Sequence, residues 1–266
     1  METSFLKLIE HSIKEHWHLP SLTDYEGAEH NYKDVARWIE KLHILFEKGG
    51  IRPGDKVALC SRNTSNWGIV FLATLTYGAV AVPILNEFKP DTIHHIINHS
   101  GTRLLFVGKS VWDNIDHESM PALDGIIAMA DYSVISSRNP VLLETATRLE
   151  TLFSARHPGE LRIEDIHYRT EEPEELAMIN YTSGTTSSPK GVMLPYRSMW
   201  SNLRYALDRW VTRRVKNLYP SLPWPTCTGW PSSSFTPSPA EYISTSYKKC
   251  PLPRYWGKSL PTSART

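Results

Sequence analysis

GDKVALCSRNTSNWGIVFLATLTYGAVAVPI, residues 54–84, decides the fold. Within it, Lys56–Cys60 and Val80–Ile84 are short apolar runs of strand length. Between them, Ser65–Tyr77 is long enough and apolar enough for a helix, with Asn63 or Thr64 as its cap. Two strands joined by a helix run parallel in one sheet, because a parallel pair needs a crossover and the crossover covers a sheet face. Outward from this unit, Arg103–Val107 and Gly125–Met129 give two more strands, and Pro90–Asn98 gives a helix with proline in its first turn. The expected class is therefore α/β: a layered, mainly parallel sheet flanked by helices.

The flanks follow from the same patterns. Phe5, Leu8, Ile9, Ile13 and Trp17 recur at helical spacing and predict an amphipathic helix that stops before Pro20. Leu22–Tyr25 and His30–Tyr32 predict a short hairpin, and a second helix is expected over Lys33–Lys48, ending at the pair Gly49 and Gly50. The less regular stretch 136–158 predicts one helix, Val141–Phe153, and a polar connector, Arg169–Glu175, precedes the next apolar run.

Composition narrows the function classes. The chain has 266 residues, 41% hydrophobic and 21% charged, with a formal net charge of +1. It has no electrostatic footprint for nucleic acid or an anionic membrane surface. No apolar run approaches the ~20 residues that span a bilayer, and Met1–Glu10 lacks a small-residue cleavage site, so a cytoplasmic location is expected. Cys60, Cys227 and Cys250 have neither metal-ligand nor redox spacing and are expected to be reduced. His95 and His99 could share one helix turn as metal ligands, but without a nearby carboxylate or cysteine, His94, His95 and His99 are expected on a solvated or packed helix face. Trp67 and Trp112 are expected in the core, and Asp91 as a first-turn charge stabilised by the helix dipole.

The chemistry lies further on. Leu176–Tyr181 has the character of a buried strand, and it empties into Thr182, Ser183, Gly184, Thr185, Thr186, Ser187, Ser188, Pro189, Lys190 and Gly191. Hydroxyls and main-chain N–H groups donate hydrogen bonds, glycine admits close approach, and lysine adds a positive point charge: together these suit a polyphosphate. A flexible serine/threonine linker is the alternative. The P-loop of NTPases does not fit, because Gly184 stands six residues before Lys190, Gly191 follows the lysine in place of a hydroxyl, and Val192–Leu194 continues as a strand.

Tyr181–Val192, YTSGTTSSPKGV, closely resembles the signature loop of the adenylate-forming superfamily of acyl-CoA synthetases, luciferases and peptide-synthetase adenylation domains. It departs only at Ser187, where glycine is commoner. Gly54–Ala58, Asn63, Trp67, Phe71–Ala73 and Gly78–Pro83 are similar to the family's early segment, and Arg197–Leu203 to the helix after the loop. The resemblance runs from about Tyr32 to Asp208, with the flavour of the long-chain fatty acid–CoA ligase branch. It implies a two-step reaction, in which a carboxylate attacks the α-phosphorus of ATP to give an acyl-adenylate and a thiol, usually coenzyme A, then displaces AMP. It implies ATP, Mg2+ and CoA as cofactors and co-substrates, with Thr182, Ser183, Gly184, Thr185, Thr186 and Lys190 cradling the β- and γ-phosphates. None of these six is a nucleophile.

After about Asp208 the family's later segments are not recognisable. Residues 211–266 are crowded with Pro, Ser, Thr and Trp and hold one acidic residue, Glu241, against eight Lys or Arg. The expected organisation is a partial adenylation domain over 1–208 and an aberrant tail of low order over 209–266, either shifted in reading frame or a natural extension. The expected function is a truncated ATP-dependent acyl-CoA ligase, inactive alone. A non-catalytic remnant or interaction module, or a weak nucleotide-binding fragment, are the alternatives.

Overall fold

The computed structural model describes residues 4–24, 26–182 and 189–206. The chain opens with α1 (Phe5–Glu15), the hairpin β1 (Pro20–Thr23) and β2 (Glu29–Asn31), and α2 (Tyr32–Lys48). The crossover units follow: β3 (Lys56–Cys60), α3 (Ser65–Tyr77), β4 (Val80–Pro83), α4 (Pro90–Ser100), β5 (Thr102–Val107), the short α5 (Lys109–Trp112) and β6 (Gly125–Ala128). Then come β7 (Val134–Ser137), α6 (Pro140–Thr147), α7 (Leu149–Arg156), β8 (Leu176–Thr182), β9 (Lys190–Pro195) and α8 (Tyr196–Ala206).

Seven strands form one sheet in the order β7-β6-β5-β3-β4-β8-β9. The inner five run parallel, and β7 and β9 pair antiparallel at the two edges. The layered, mainly parallel class is thus as the sequence predicts. Alternation along the strands sends two sets of side chains to opposite faces. Val57, Leu59, Ala81, Leu104, Phe106 and Ile127 join the core beneath α1, α2, α3, α6, α7 and α8. Ala58, Cys60, Val80, Val82, Leu105 and Val107 join a smaller core under α4 and α5.

The larger layer explains why α3 is apolar all round. From Trp67 to Thr76 every residue is buried, because α2 covers the side of α3 that faces away from the sheet. Thr64 caps α3 by accepting from Trp67 N–H, Asp24 accepts from Ser65 N–H at 2.7 Å, and Gly78 closes the helix at φ 89°. Each large aliphatic or aromatic side chain fully buried in this layer, Phe46 and Leu45 among them, stabilises the fold by ~1.5–3 kcal/mol.

The stretch 136–158 corrects the sequence reading. In place of one helix there are two, broken at Arg148, whose φ of −108° and ψ of 12° are not helical. Asn139 caps the first by accepting from Val141 N–H, which fixes its start one residue earlier than predicted. Leu142 then wedges, fully buried, where Gly49 and Gly125 carry no Cβ. Strand β7 was not legible either, since its VISS sequence is too short and too polar to show an alternation. Trp67 is in the larger core as expected, whereas Trp112 is only half-buried, against the smaller one. The tail expected over 209–266, with Cys227 and Cys250, lies outside the described residues.

Candidate functional site

The strand that delivers the phosphate-type loop is anchored from far away in sequence. Glu171, buried in the connector before β8, accepts from Ser4 Oγ and from the Phe5 and Leu6 N–H groups, so it caps α1 from a remote segment. Glu10 on α1 accepts in return from Tyr168 N–H at 2.9 Å and from Lys7 and Lys14. Burial alone would raise its pKa, but these three donors hold the Glu10 carboxyl at about 2. The connector continues through a two-bond ion pair between Arg169 and Glu175.

The exit of the loop is fixed just as firmly. Tyr196 N–H donates to Glu175 O at 3.0 Å, Arg197 N–H donates to Pro173 O at 2.9 Å, and the buried Tyr196 hydroxyl donates to Leu75 O at 2.8 Å. Entry and exit of the loop are therefore tied to each other and to α3.

Between these anchors, β8 and β9 form an antiparallel ladder in which Ile179 pairs with Met193, Asn180 with Val192, Tyr181 with Gly191 and Thr182 with Lys190. Thr182 and Lys190 stand directly opposite each other at the mouth of the hairpin, both exposed, so their side chains rise from the same face a few ångströms apart. Among the described residues Lys190 has no ion-pair partner. A hydroxyl and an ammonium held side by side, uncommitted to a carboxylate, suit a phosphate oxygen. Because β8 runs parallel to β3, β4, β5 and β6, this mouth opens at the carboxyl end of the parallel strands, where open α/β sheets collect ligands. Ser183, Gly184, Thr185 and Thr186 lie outside the described residues.

Two residues beside the loop were not singled out as site residues. Tyr181 turns its ring to the α4 face, where its hydroxyl lies 2.7 Å from His99 Nδ1, and the two rings meet edge-on. His99 stacks on His95, and both lie on the exposed face of α4. Nothing local in the sequence connects residue 99 with residue 181; only the parallel topology brings α4 beneath the end of β8. The other is Gly191, whose missing Cβ leaves the space that the Tyr181 ring occupies.

Among the described residues no group of three or more His, Cys, Asp or Glu is arranged to hold a metal ion. No helix among the described residues is long and apolar enough to cross a membrane.

Comparison with known proteins agrees with this fold. The family model described as "AMP-binding enzyme" matches residues 9–230. A putative acyl-CoA ligase, YdaB of Bacillus subtilis (strain 168), is 28% identical over 169 residues, covering 64% of this chain and 31% of the relative. The long-chain-fatty-acid–CoA ligase 1 of Cavia porcellus is 26% identical over 181 residues, covering 65% and 25%. The crystal structure of the anthranilate CoA ligase AuaEII in complex with anthranoyl-AMP shares the fold at TM-score 0.60 and 18% identity, over 80% of this chain and 37% of its own. The chain thus spans about a third or less of the curated relatives it matches. With its parallel sheet and this match, the chain belongs to the family of AMP-binding enzymes.

Proposed function

We propose that this chain supplies the polyphosphate grip of an ATP-dependent acid–thiol ligase acting on long-chain fatty acids. In that reaction a carboxylate displaces pyrophosphate from the α-phosphorus of ATP, and a CoA thiolate then displaces AMP from the acyl-adenylate. The observation that carries the reading is Thr182 opposite Lys190 at the mouth of β8–β9, bracketing the sequence SGTTSSP. Thr182, Ser183, Gly184, Thr185, Thr186 and Lys190 would hold the β- and γ-phosphates in line, so their role is positioning and charge stabilisation. The fatty-acid preference rests on the long-chain ligase among the relatives. A cytoplasmic location is part of the same proposal.

On its own, the 266-residue chain is proposed to grip nucleotide weakly without completing adenylation, with residues 1–208 as the folded unit. Two measurements test this: ATP-dependent thermal stabilisation, and pyrophosphate release with carboxylic acids of graded chain length. Modest stabilisation by ATP with no carboxylate-dependent turnover is expected. Robust turnover would overturn the claim of an inactive grip, and no response to ATP at millimolar concentration would overturn the grip itself.

A further inference from the structure

A buried group of titratable side chains lies away from the phosphate loop, between α2, the end of α7 and residues 163–168. Glu40, on α2, is only 12% exposed; its Oε1 is 3.9 Å from His43 Nδ1 and its Oε2 is 3.9 Å from His157 Nε2. His157 Nε2 and the Tyr168 hydroxyl are both buried without a hydrogen-bond partner among the described residues. Native interiors rarely leave such atoms unpaired, so the cluster calls for a proton or a donor.

The tautomer of His43 identifies which. Its Nε2 lies 3.2 Å from the Ala73 carbonyl and 3.0 Å from Thr76 Oγ1, and Thr76 Oγ1 itself donates to Leu72 O. A carbonyl only accepts, so Nε2 carries the hydrogen. Nδ1 of the neutral ring is then a bare lone pair, 3.9 Å from Glu40 Oε1. An ionised Glu40 would set negative oxygen against that lone pair, whereas a protonated Glu40 has a hydrogen to offer it. Among the described residues Arg156 favours ionisation of Glu40, but burial outweighs it. Arg156 is committed to Glu47 at 2.6 Å, Lys41 is paired with Glu150, and Asp165, itself bonded to Arg162, adds negative charge. From α3 the cluster meets the Tyr77 ring, 5.5 Å from His43, and from α1 the Glu10 carboxylate acts on Tyr168.

We propose that Glu40 is a buried proton-binding site, held as the neutral acid between the His43 and His157 imidazoles, and that its ionisation loosens the packing of α7 on α2. Burial pushes the Glu40 carboxyl up to about 7 and the His43 imidazole down to about 4, and it lowers His157 as well. Folding thus exchanges a charged pair for a neutral one. Glu40 favours the folded state at low pH, and its contribution is lost as pH rises from about 4.5 through about 7. His43 does the reverse, losing its contribution as pH falls from about 6.5 through about 4, so the two slopes cancel over most of that range.

Infrared spectroscopy of the intact chain tests the proposal directly. At pH 6 a protonated-carboxyl band of Glu40 is expected that fades above pH 7 and is missing in Glu40→Gln. Hydrogen exchange of α7 amides, corrected for intrinsic rate, should rise several-fold from pH 6 to pH 8 in the wild type and stay flat in Glu40→Gln. Absence of the band from the wild type at pH 6 would overturn the assignment even if the variant failed to fold. A band that survives in a folded Glu40→Gln variant would do the same, and equal α7 exchange at both pH values would remove the loosening.

Discussion

Gly191 lies directly across the ladder from Tyr181, and a Cβ added there would stand 3.1 Å from the Tyr181 Cζ and 3.0 Å from the Ile179 Cγ2. The Tyr181 ring cannot retreat freely, because His99 holds its hydroxyl on the far side. Gly191→Ala therefore forces a shift of a few tenths of an ångström in the last two pairs of the hairpin, at a cost of ~1–3 kcal/mol. Thermal unfolding should show a lowered midpoint. An unchanged midpoint would mean that the ring moves without resistance and does not fix the base of the loop.

Lys190 is exposed and makes no ion pair among the described residues, so its loss should hardly disturb folding. Lys190→Ala is expected to change stability by no more than ~0.5 kcal/mol while abolishing stabilisation by ATP. Thr182→Ala, with one neutral donor fewer, should weaken the ATP response by ~0.5–1.5 kcal/mol. If Lys190→Ala responded to ATP as the wild type does, the hairpin mouth would not be the phosphate site.

The sequence showed most clearly what local patterns control. The strand of Lys56–Cys60, the helix of Ser65–Tyr77 and the hydroxyl-rich loop each announce themselves within a few residues, by apolar runs, a threonine cap and the density of donors. The relations that finish the site are long-range. His99 meets Tyr181 across 82 positions, and Ser4 meets Glu171 across 167, so no window of sequence contains either pair. The break at Arg148 escaped notice for another reason: Glu144, Thr145 and Leu149 are acceptable helix residues, and the tertiary packing of Leu142 and Phe153 overrides their preference. As for the loop, Ser183–Thr186 were read from composition and resemblance, and of the six residues proposed there the geometry bears only on Thr182 and Lys190.

Glu10 predicts a pH dependence of opposite sign to that of Glu40. Despite its burial, bonds from Lys14, Lys7 and the Tyr168 N–H lower its pKa from 4.5 to about 2, so the folded state binds fewer protons than the unfolded state between those values. Stability from this group is complete above pH 4.5 and is lost as pH falls toward 2. Denaturant titrations from pH 5 to pH 2 should show the loss, and the Glu10→Gln variant should lose less stability across the window while being weaker at pH 5. Parallel curves for the two proteins would show that Glu10 does not link α1 to the connector.

Cys60 ends β3 on the α4 face, wholly buried, and burial pushes its thiol up to about 12. A thiol that is both enclosed and protonated is inert, because alkylation needs the thiolate and access to it. In a Cys227→Ser, Cys250→Ser background, iodoacetamide should modify Cys60 no faster than the sheet opens, and the rate should climb steeply with denaturant. Fast modification in native buffer, independent of denaturant, would mean that the layer of α4 and α5 over β3 opens locally. The smaller of the two cores, covered among the described residues by those two helices and by Met120 and Leu123, would then be the first part of the fold to yield.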